Sequence, residues 1–301
     1  MQDSKPHQTR PALLALLGGG MLIGCSPIFV RLSELGPVST AFWRLALALI
    51  PLLLFSERGA AAGAEKPRTL REALLVCLPG FLLAAELTSW HISLHMTSVA
   101  NATLLVNIAP IFVSLYCWLF LRQIPSRLFV AALSITIAGV IILKGASPDF
   151  GAGDLRGDVV AVFAAMLYAA YILALAKMRG RFSTSAIMIW SSGAGALSII
   201  PFARFSEPAQ LPSTMAGWTV LFALSWLSQA GGQSLITYAL AWVPVTISSL
   251  TLLLQPVLAA VLAWLVMGEV LSLGQSIGGS IVLVGILIAH RAQAHKTLAD
   301  R

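Results

Sequence analysis

Long apolar runs separated by short polar segments dominate the pattern of this chain. Each run is about 20 residues long, the length that a helix needs to cross the hydrocarbon core of a bilayer while pairing every backbone N–H and C=O group. We therefore expect an all-α integral membrane protein with ten transmembrane helices and no soluble domain. The predicted helices span residues 11–32, 38–56, 72–92, 97–121, 127–145, 157–177, 184–203, 216–240, 244–267 and 273–290.

The chain contains an internal repeat. A stretch that begins at residue 98 aligns without a gap with one that begins 146 residues later, and both carry a proline in the middle of the fourth helix of their half, Pro110 and Pro256. Because each copy has an odd number of spans, the second copy enters the membrane from the opposite face. We expect two inverted five-helix repeats, 11–145 and 157–290, with a solute site near the midplane between them.

The distribution of basic residues predicts the orientation of the chain. If the N-terminus is cytoplasmic, 14 Lys and Arg residues fall in inner segments and 4 in outer ones. Cytoplasmic loops of membrane proteins carry such an excess. Both termini are therefore predicted to be cytoplasmic. The net charge of +7 then reflects topology and contact with lipid headgroups, and we expect no nucleic-acid partner.

Composition excludes several other classes of protein. Charged residues make up 10% of the chain, against roughly 25% in soluble domains, and hydrophobic residues make up 58%. Three cysteines are too few, and odd in number, for a disulfide-rich secreted domain. The abundance of aliphatic residues argues against long disordered regions. The lipid bilayer is therefore the expected environment.

Three motifs stand out in predicted helices two, four and nine. They are Gly36-Pro37 followed by Ala41–Leu45, Thr97–Ala102 running to Pro110, and Val245 through Gln255-Pro256 to Gly268-Glu269. Together they resemble the EamA type of the drug/metabolite transporter superfamily, and the resemblance covers almost the whole chain, including both repeats.

The resemblance implies a secondary transporter of the bacterial inner membrane. YddG-type amino-acid exporters share this ten-helix plan, so the resemblance implies export of amino acids or related metabolites by alternating access. The superfamily also moves sugars, nucleotide derivatives, vitamins and drugs. Efflux of a drug or cationic compound, or uptake of a vitamin or nucleotide-like solute, is therefore the alternative.

Two ionisable side chains lie well inside the predicted helices. Arg44 and Glu86 are each about six residues from the outer end of their span, in helices two and three. Charges inside a membrane are costly and mark candidate functional sites. One interpretation is a structural ion pair that braces the two helices. In the other, Glu86 takes up a proton or the pair contacts the charged ends of the substrate, so proton coupling is left open.

Further polar and aromatic side chains recur at helical spacing. Amides and hydroxyls beside aromatic rings suit a small zwitterionic or amphipathic solute, although interhelical hydrogen bonds alone also explain such residues. The candidates for substrate binding are Glu86 and Trp90 in helix three, Thr103 and Asn107 in helix four, Tyr168 in helix six, Trp226, Gln229 and Gln233 in helix eight, and Gln255 in helix nine.

Pro110 and Pro256 predict kinks in helices four and nine. A proline within a helix frees a backbone carbonyl one turn earlier, here near Val106 and Leu252. Such carbonyls are available as hydrogen-bond acceptors, or the kinks simply shape the bundle.

The sequence carries none of the motifs that would indicate catalysis or use of ATP. Neither H-E-x-x-H nor G-x-x-x-x-G-K-[ST] occurs, and no aspartate lies in the middle of a span. His91 and His95 are four residues apart, but two histidines without an acidic third ligand do not make a metal site. We expect a transporter with no enzymatic activity, cofactor or metal; a channel or a receptor without flux is the alternative.

Overall fold

The computed structural model describes residues 6–55, 67–97, 99–145, 154–267 and 272–299. In this part of the chain every regular element is a helix, as the apolar runs predict. The helices are α1 (Pro6–Gly24), α2 (Ser26–Leu32), α3 (Pro37–Leu54), α4 (Leu70–Met96), α5 (Val99–Val106), α6 (Ala109–Leu119), α7 (Arg127–Gly145), α8 (Leu155–Arg179), α9 (Thr184–Ser206), α10 (Met215–Ala223), a π-helical segment (Leu224–Gln233), α11 (Ser234–Ala239), α12 (Val245–Thr251), α13 (Leu254–Met267) and α14 (Leu273–Ala299).

Seven helical stretches of the described residues are long and apolar enough to cross a membrane. They are Arg10–Val30, Pro37–Leu54, Leu70–Ser93, Asn101–Leu119, Leu155–Arg179, Thr184–Ser206 and Leu273–Arg291, and two shorter apolar helices are Arg127–Leu143 and Val245–Leu258. Large apolar side chains cover much of the outer surface, as expected of helices that face lipid. The all-α membrane class is therefore confirmed. The count of ten spans, the inverted repeats and the cytoplasmic termini stay predictions.

Two of the predicted spans are broken close to a proline. α5 ends at Val106 and α6 begins at Ala109, with Pro110 in the first turn of α6. α12 likewise ends at Thr251, and α13 begins two residues before Pro256. Proline lacks an N–H and clashes with the carbonyl of the preceding turn, so the helix is interrupted one turn earlier in each case.

Glycines bring pairs of helices into close contact. A Cβ atom added to Gly80 of α4 would lie 2.7 Å from the carbonyl carbon of Ser191 in α9, and one added to Gly195 of α9 would lie 3.0 Å from the carbonyl oxygen of Gly80. α14 meets α7 in the same way, because a Cβ on Gly278 would lie 2.7 Å from the Gly139 carbonyl oxygen. Small residues at such contacts let helix backbones approach in membranes. The α4–α9 and α7–α14 contacts each join one predicted repeat to the other.

Parts of the predicted features lie outside the described residues. These are residues 56–66, at the connection between the second and third predicted helices, and the Gly268-Glu269 motif that follows α13. The side chain of His95 is also among those that the structure does not describe.

Candidate functional site

Polar side chains from several helices are buried together in the interior of the bundle. Arg44 of α3 is 7% exposed, Glu86 of α4 is 5% exposed and Tyr171 of α8 is 1% exposed. Gln229 and Gln233 of the π-helical segment are 1% and 2% exposed. We call this group, with the half-buried side chains of Tyr168 in α8 and Gln255 in α13, the central polar cluster; its members are Arg44, Glu86, Tyr168, Tyr171, Gln229, Gln233 and Gln255.

Arg44 is held in place at its guanidinium group and at its backbone. Its NH1 donates a hydrogen bond to Ser26 Oγ of α2 at 3.0 Å. The backbone carbonyl of Arg44 accepts a hydrogen bond from Ser225 Oγ of the π-helical segment at 2.7 Å. The Nε atom is buried and has no hydrogen-bond partner. Arg44 is therefore fixed in position while part of its fork of donors is unused.

Arg44 and Glu86 lie near one another without direct contact. The hydroxyl groups of Tyr168 and Tyr171 lie near both. The ion pairs of the described side chains include no Arg44–Glu86 pair within 4.0 Å. A bracing ion pair between Arg44 and Glu86 is therefore not formed among the described side chains, and a common depth of the two side chains in the membrane stays a prediction.

Two tyrosines and two glutamines of the second predicted repeat lie together in the cluster. The rings of Tyr168 and Tyr171 have centroids 6.1 Å apart. The amide of Gln255 lies beside the Tyr168 hydroxyl, and that of Gln233 lies beside the Tyr171 hydroxyl, without a hydrogen bond of normal geometry in either pair. Gln229 Nε2 donates to Ser192 Oγ of α9 at 3.4 Å.

The cluster contains an unusual number of unpaired polar atoms. The buried atoms without a hydrogen-bond partner in this region are Arg44 Nε, Tyr171 Oη, Gln229 Oε1, Gln233 Nε2 and Gln255 Nε2. Nearly all buried polar groups in proteins are hydrogen-bonded, and an unpaired one costs about 1–3 kcal/mol. Five such atoms in one place indicate that water or a polar solute completes their hydrogen bonds.

Trp90 lies on α4 and Thr103 on α5, and Asn107 follows the last residue of α5. Trp90 is half-buried, its Nε1 has no partner, and its ring centroid is 5.1 Å from that of the buried His91. Asn107 Nδ2 donates to the Thr103 carbonyl oxygen at 2.7 Å. One N–H group of the Asn107 amide therefore bonds the broken end of α5, and a role of these three residues in binding stays a prediction.

The structure separates Trp226 from the two glutamines, which corrects the sequence analysis. Trp226 is 45% exposed and packs edge-on against Phe222 at 5.4 Å, whereas Gln229 and Gln233 are buried. The expectation assumed an α-helix, in which residues three and seven positions apart share a face. A π-helix bonds residue i to i+5 and has wider turns, so Trp226 points away from the face of the glutamines.

Three serines support the cluster and were not among the sequence-based candidates. Ser26 and Ser225 bond Arg44, and Ser192 bonds Gln229. Like the glutamines, these serines are polar residues within apolar helices, which is the pattern that marked the glutamines as candidates. Serine hydroxyls commonly bond a carbonyl of their own helix, however, so their position in sequence does not distinguish these three from the rest.

Two carboxylates join the predicted halves at the end of the bundle opposite the N-terminus. Glu207, at the end of α9, accepts hydrogen bonds from Val38 N at 2.7 Å and Ser39 N at 2.9 Å, in the first turn of α3. Negative charge is favourable at a helix N-terminus. A Cβ on Gly36 would lie 2.6 Å from Glu207 Oε1, so only glycine leaves room for this carboxylate.

Glu34 makes the reciprocal contact to the other half. It accepts hydrogen bonds from Ser213 N at 2.8 Å, Ser213 Oγ at 2.9 Å and Thr214 N at 3.2 Å, and from Thr214 Oγ1, just before α10 begins. A Cβ on Gly217 would lie 2.6 Å from its Cδ atom. We call these two separate sets of hydrogen bonds, one accepted by Glu34 and one by Glu207, the Glu34–Glu207 contact. Hydrogen bonds from Thr214 and Ser213 lower the pKa of Glu34 to about 2.

The lowered pKa of Glu34 predicts how acid affects this contact. A carboxyl group whose pKa falls on folding stabilises the fold fully above its ordinary value of 4.5, and the contribution is lost as the pH falls towards 2. We expect wild type to melt at a higher temperature than Glu34→Gln above pH 5, because the amide accepts fewer of these bonds. The difference in Tm should shrink between pH 4.5 and 3, measured in detergent. A difference that stays constant over this range would contradict the assignment.

The opposite end of the bundle also carries polar contacts between elements distant in sequence. Glu72, in the first turn of α4, forms an ion pair with Arg181 after α8. Arg179 Nε donates to the Thr237 carbonyl oxygen at 3.1 Å, and its NH1 donates to the Phe182 carbonyl oxygen at 2.6 Å. The central polar cluster therefore lies between two sets of polar contacts, one at each end.

Comparison with a solved structure places this fold among known ones. A crystal structure of another protein matches with a TM-score of 0.79 at 16% sequence identity, covering 92% of this chain and 96% of that one. At this identity the match shows a common fold. The fold is that of a helical membrane protein.

The sequence profile of the EamA-like transporter family matches residues 10–144 and again residues 155–290. The chain belongs to this family, which confirms the resemblance seen in its motifs. It is similar to an uncharacterized transporter of Archaeoglobus fulgidus, with 26% identity over 97% of this chain and 99% of that one.

Two further relatives have names that state what they carry. A probable terminal-alkyne amino-acid exporter of Streptantibioticus cattleyicolor is 26% identical over 88% of this chain and 87% of its own. The pseudopaline exporter CntI of Pseudomonas aeruginosa is 26% identical over 84% of this chain and 85% of its own. The family and these relatives are named as transporters and not as enzymes.

Proposed function

We propose that this protein exports amino acids or related small metabolites across the bacterial inner membrane by alternating access. The observation that carries the proposal is the central polar cluster, in which a guanidinium group, a carboxyl group and several unpaired amide and hydroxyl groups are buried inside an apolar bundle. Such an interior suits a small polar solute fixed by a few contacts. The exporter names of two relatives support the direction of transport.

The proposal includes ten spans in two inverted repeats, residues 11–145 and 157–290, with both termini cytoplasmic. In this arrangement the cluster lies at the interface of the repeats, where secondary transporters bind their solutes. The breaks before Pro110 and Pro256 and the π-helical segment occur on the predicted fourth, ninth and eighth helices. Irregular helices beside a polar interior are typical of transporters, since lipid would leave their backbone groups unpaired.

Solute exchange in proteoliposomes tests the proposed function. We expect purified protein to exchange radiolabelled amino acids across the membrane with a rate that saturates with concentration, whereas protein-free liposomes do not. Exchange should continue without a proton gradient, because exchange needs no net driving force. Net export that rises when an inward proton gradient is imposed would assign proton coupling. Glu86 would then be the deep carboxylate that takes up the proton.

The same assay separates the alternatives. Saturable exchange of cationic drugs, vitamins or nucleotide-like solutes, with none of amino acids, would replace the proposed substrate by one of these classes. A flux that rises linearly with concentration and never saturates would indicate a channel. An absence of flux for every solute class would contradict the transporter proposal itself.

A further inference from the structure

Resting on the proposed function, we propose that the central polar cluster binds a zwitterionic α-amino acid whose carboxylate contacts Arg44 and whose ammonium group contacts Glu86. The two side chains are then specificity determinants with separate tasks. Arg44 distinguishes solutes with a carboxylate from those without one. Glu86 distinguishes solutes with an ammonium group from those without one.

The state of Arg44 fits binding of a carboxylate. The guanidinium group has five N–H donors in a planar fork, which binds a carboxylate through two parallel hydrogen bonds. Ser26 uses one donor of NH1, and the buried Nε has no partner. The bond from Ser225 to the Arg44 carbonyl fixes the backbone that carries the side chain. Arg44 is therefore positioned before the solute arrives.

Glu86 offers the complementary charge. Its side chain is 5% exposed, and among the described residues it accepts no hydrogen bond. The nearby guanidinium group of Arg44 lies beyond ion-pair distance from it. A buried carboxylate without hydrogen bonds is costly, and an ammonium group supplies both the opposite charge and three donors.

The pair of separated charges selects among classes of solute. An anionic solute would satisfy Arg44 and leave Glu86 unpaired, whereas a cationic solute would do the reverse. A neutral solute would leave both charges unpaired. A zwitterion satisfies both at once and keeps the whole site neutral, so it has the lowest cost of burial in this interior.

The rest of the cluster faces the remainder of the solute. The rings of Tyr168 and Tyr171 offer apolar surface, and the unpaired Nε2 atoms of Gln233 and Gln255 offer hydrogen-bond donors. An amino acid with an aromatic side chain therefore makes a suitable probe. Its ring can pack against the two tyrosine rings, and its ammonium and carboxylate groups are held at a fixed separation because both are attached to the same Cα atom.

The test compares L-phenylalanine with two analogues that each lack one charge. L-phenylalaninamide lacks the carboxylate, and 3-phenylpropionate lacks the ammonium group. Affinities are measured by competition for exchange in proteoliposomes with full-length wild type, Arg44→Gln and Glu86→Gln. We expect wild type to bind L-phenylalanine roughly 10- to 100-fold more tightly than either analogue, the range for one charged hydrogen-bonded contact.

Each variant should lose one preference and keep the other. Arg44→Gln should no longer prefer L-phenylalanine to the amide, but should still prefer it to 3-phenylpropionate. Glu86→Gln should show the opposite pattern. A purely structural role predicts that both preferences weaken together or persist together, and either result would overturn the assignment. Equal affinity of wild type for all three compounds would overturn it as well.

Controls keep the test independent of folding. Asp154→Asn removes an exposed carboxylate but keeps an N-cap of equal quality on α8, so it should behave like wild type. If Arg44→Gln does not fold, Arg44→Lys keeps the charge without the fork and should weaken binding of L-phenylalanine more than that of the amide. Glu86→Gln should retain the wild-type elution profile and melt within a few degrees of wild type, because the substitution preserves shape.

Failure of this inference is distinguishable from failure of the proposed function. L-leucine and L-serine are tested in parallel with L-phenylalanine, each with its own amide and its own analogue without the ammonium group. Saturable exchange of other solutes, with no competition by any of the three amino acids, would overturn the zwitterion site and leave a transporter. No exchange of any solute would overturn the proposed function.

Discussion

Replacing Gly80 by alanine is expected to lower the Tm of the purified protein by about 5 °C or more. The added methyl group would lie 2.7 Å from the carbonyl carbon and 2.9 Å from the Cα atom of Ser191. Because these are backbone atoms, no rotation of a side chain relieves the overlap, and α4 and α9 must separate. We expect a cost at the upper end of the roughly 1–3 kcal/mol typical of overpacking, measured as thermal unfolding in detergent.

Gly193 provides the matched control. It lies on α9, two residues after Ser191, and a Cβ atom at this position would meet nothing within 4 Å. Alanine also favours the helical state over glycine. Gly193→Ala should therefore melt at or above the wild-type temperature. If Gly80→Ala and Gly193→Ala melted together, the close contact of α4 with α9 would not be a determinant of stability.

Cross-linking the Glu34–Glu207 contact is expected to stop transport completely. Alternating access requires each end of the protein to open in turn, and the Glu34→Cys and Ser213→Cys substitutions place two thiols where a carboxylate and a hydroxyl now bond at 2.9 Å. A short bis-methanethiosulfonate reagent, which joins the two thiols through disulfides, should reduce amino-acid exchange to the level of empty liposomes, and a reductant that cleaves the disulfides should restore it. The free native cysteines are replaced beforehand; these are Cys25, Cys77 and Cys117.

Single-cysteine proteins show whether modification alone has an effect. Glu34→Cys and Ser213→Cys, each treated with the same reagent, should keep most of their exchange activity, since both positions are exposed. Full activity of the cross-linked double variant would contradict alternating access through this end of the protein. The central polar cluster would then bind solute on a route that does not require this end of the protein to open.

Local sequence predicts the helices and their interruptions because the forces concerned are local. A bilayer requires a run of apolar residues with paired backbone groups, so each span is visible as a run. The effect of a proline on its own helix is equally local, and α5 and α12 end one turn before Pro110 and Pro256. The buried state of Arg44 and Glu86 also follows from their position within long apolar runs.

The π-helical segment is not visible in the sequence, and its effect on the site is correspondingly missed. Nothing in the residues 224–233 distinguishes a helix with i to i+5 bonds from an ordinary one, because the choice depends on packing against neighbours. Contacts of this segment with α1 are close, since a Cβ on Gly19 would lie 2.7 Å from the Gly232 carbonyl oxygen. The assumption of α-helical periodicity therefore placed Trp226 beside Gln229, whereas the structure exposes it.

Contacts between distant segments are missed for a different reason. Glu34 bonds Ser213, which is 179 residues away, and Val38 bonds Glu207, which is 169 residues away. A carboxylate in a loop has no local pattern that identifies its partner. The glycines that leave room for these carboxylates, Gly36 and Gly217, are likewise meaningful only once the two halves are placed together.

The Glu34–Glu207 contact lies apart from the central polar cluster, and under the proposed alternating access this separation has a kinetic consequence. Bonds that must break whenever this end opens oppose every translocation event equally, whatever the cargo. Weakening them should alter the turnover number for all cargoes by a common factor while leaving their ranking unchanged. Natural variation at these two acids would then adjust the pace of the carrier, and variation around Arg44 and Glu86 would adjust its choice.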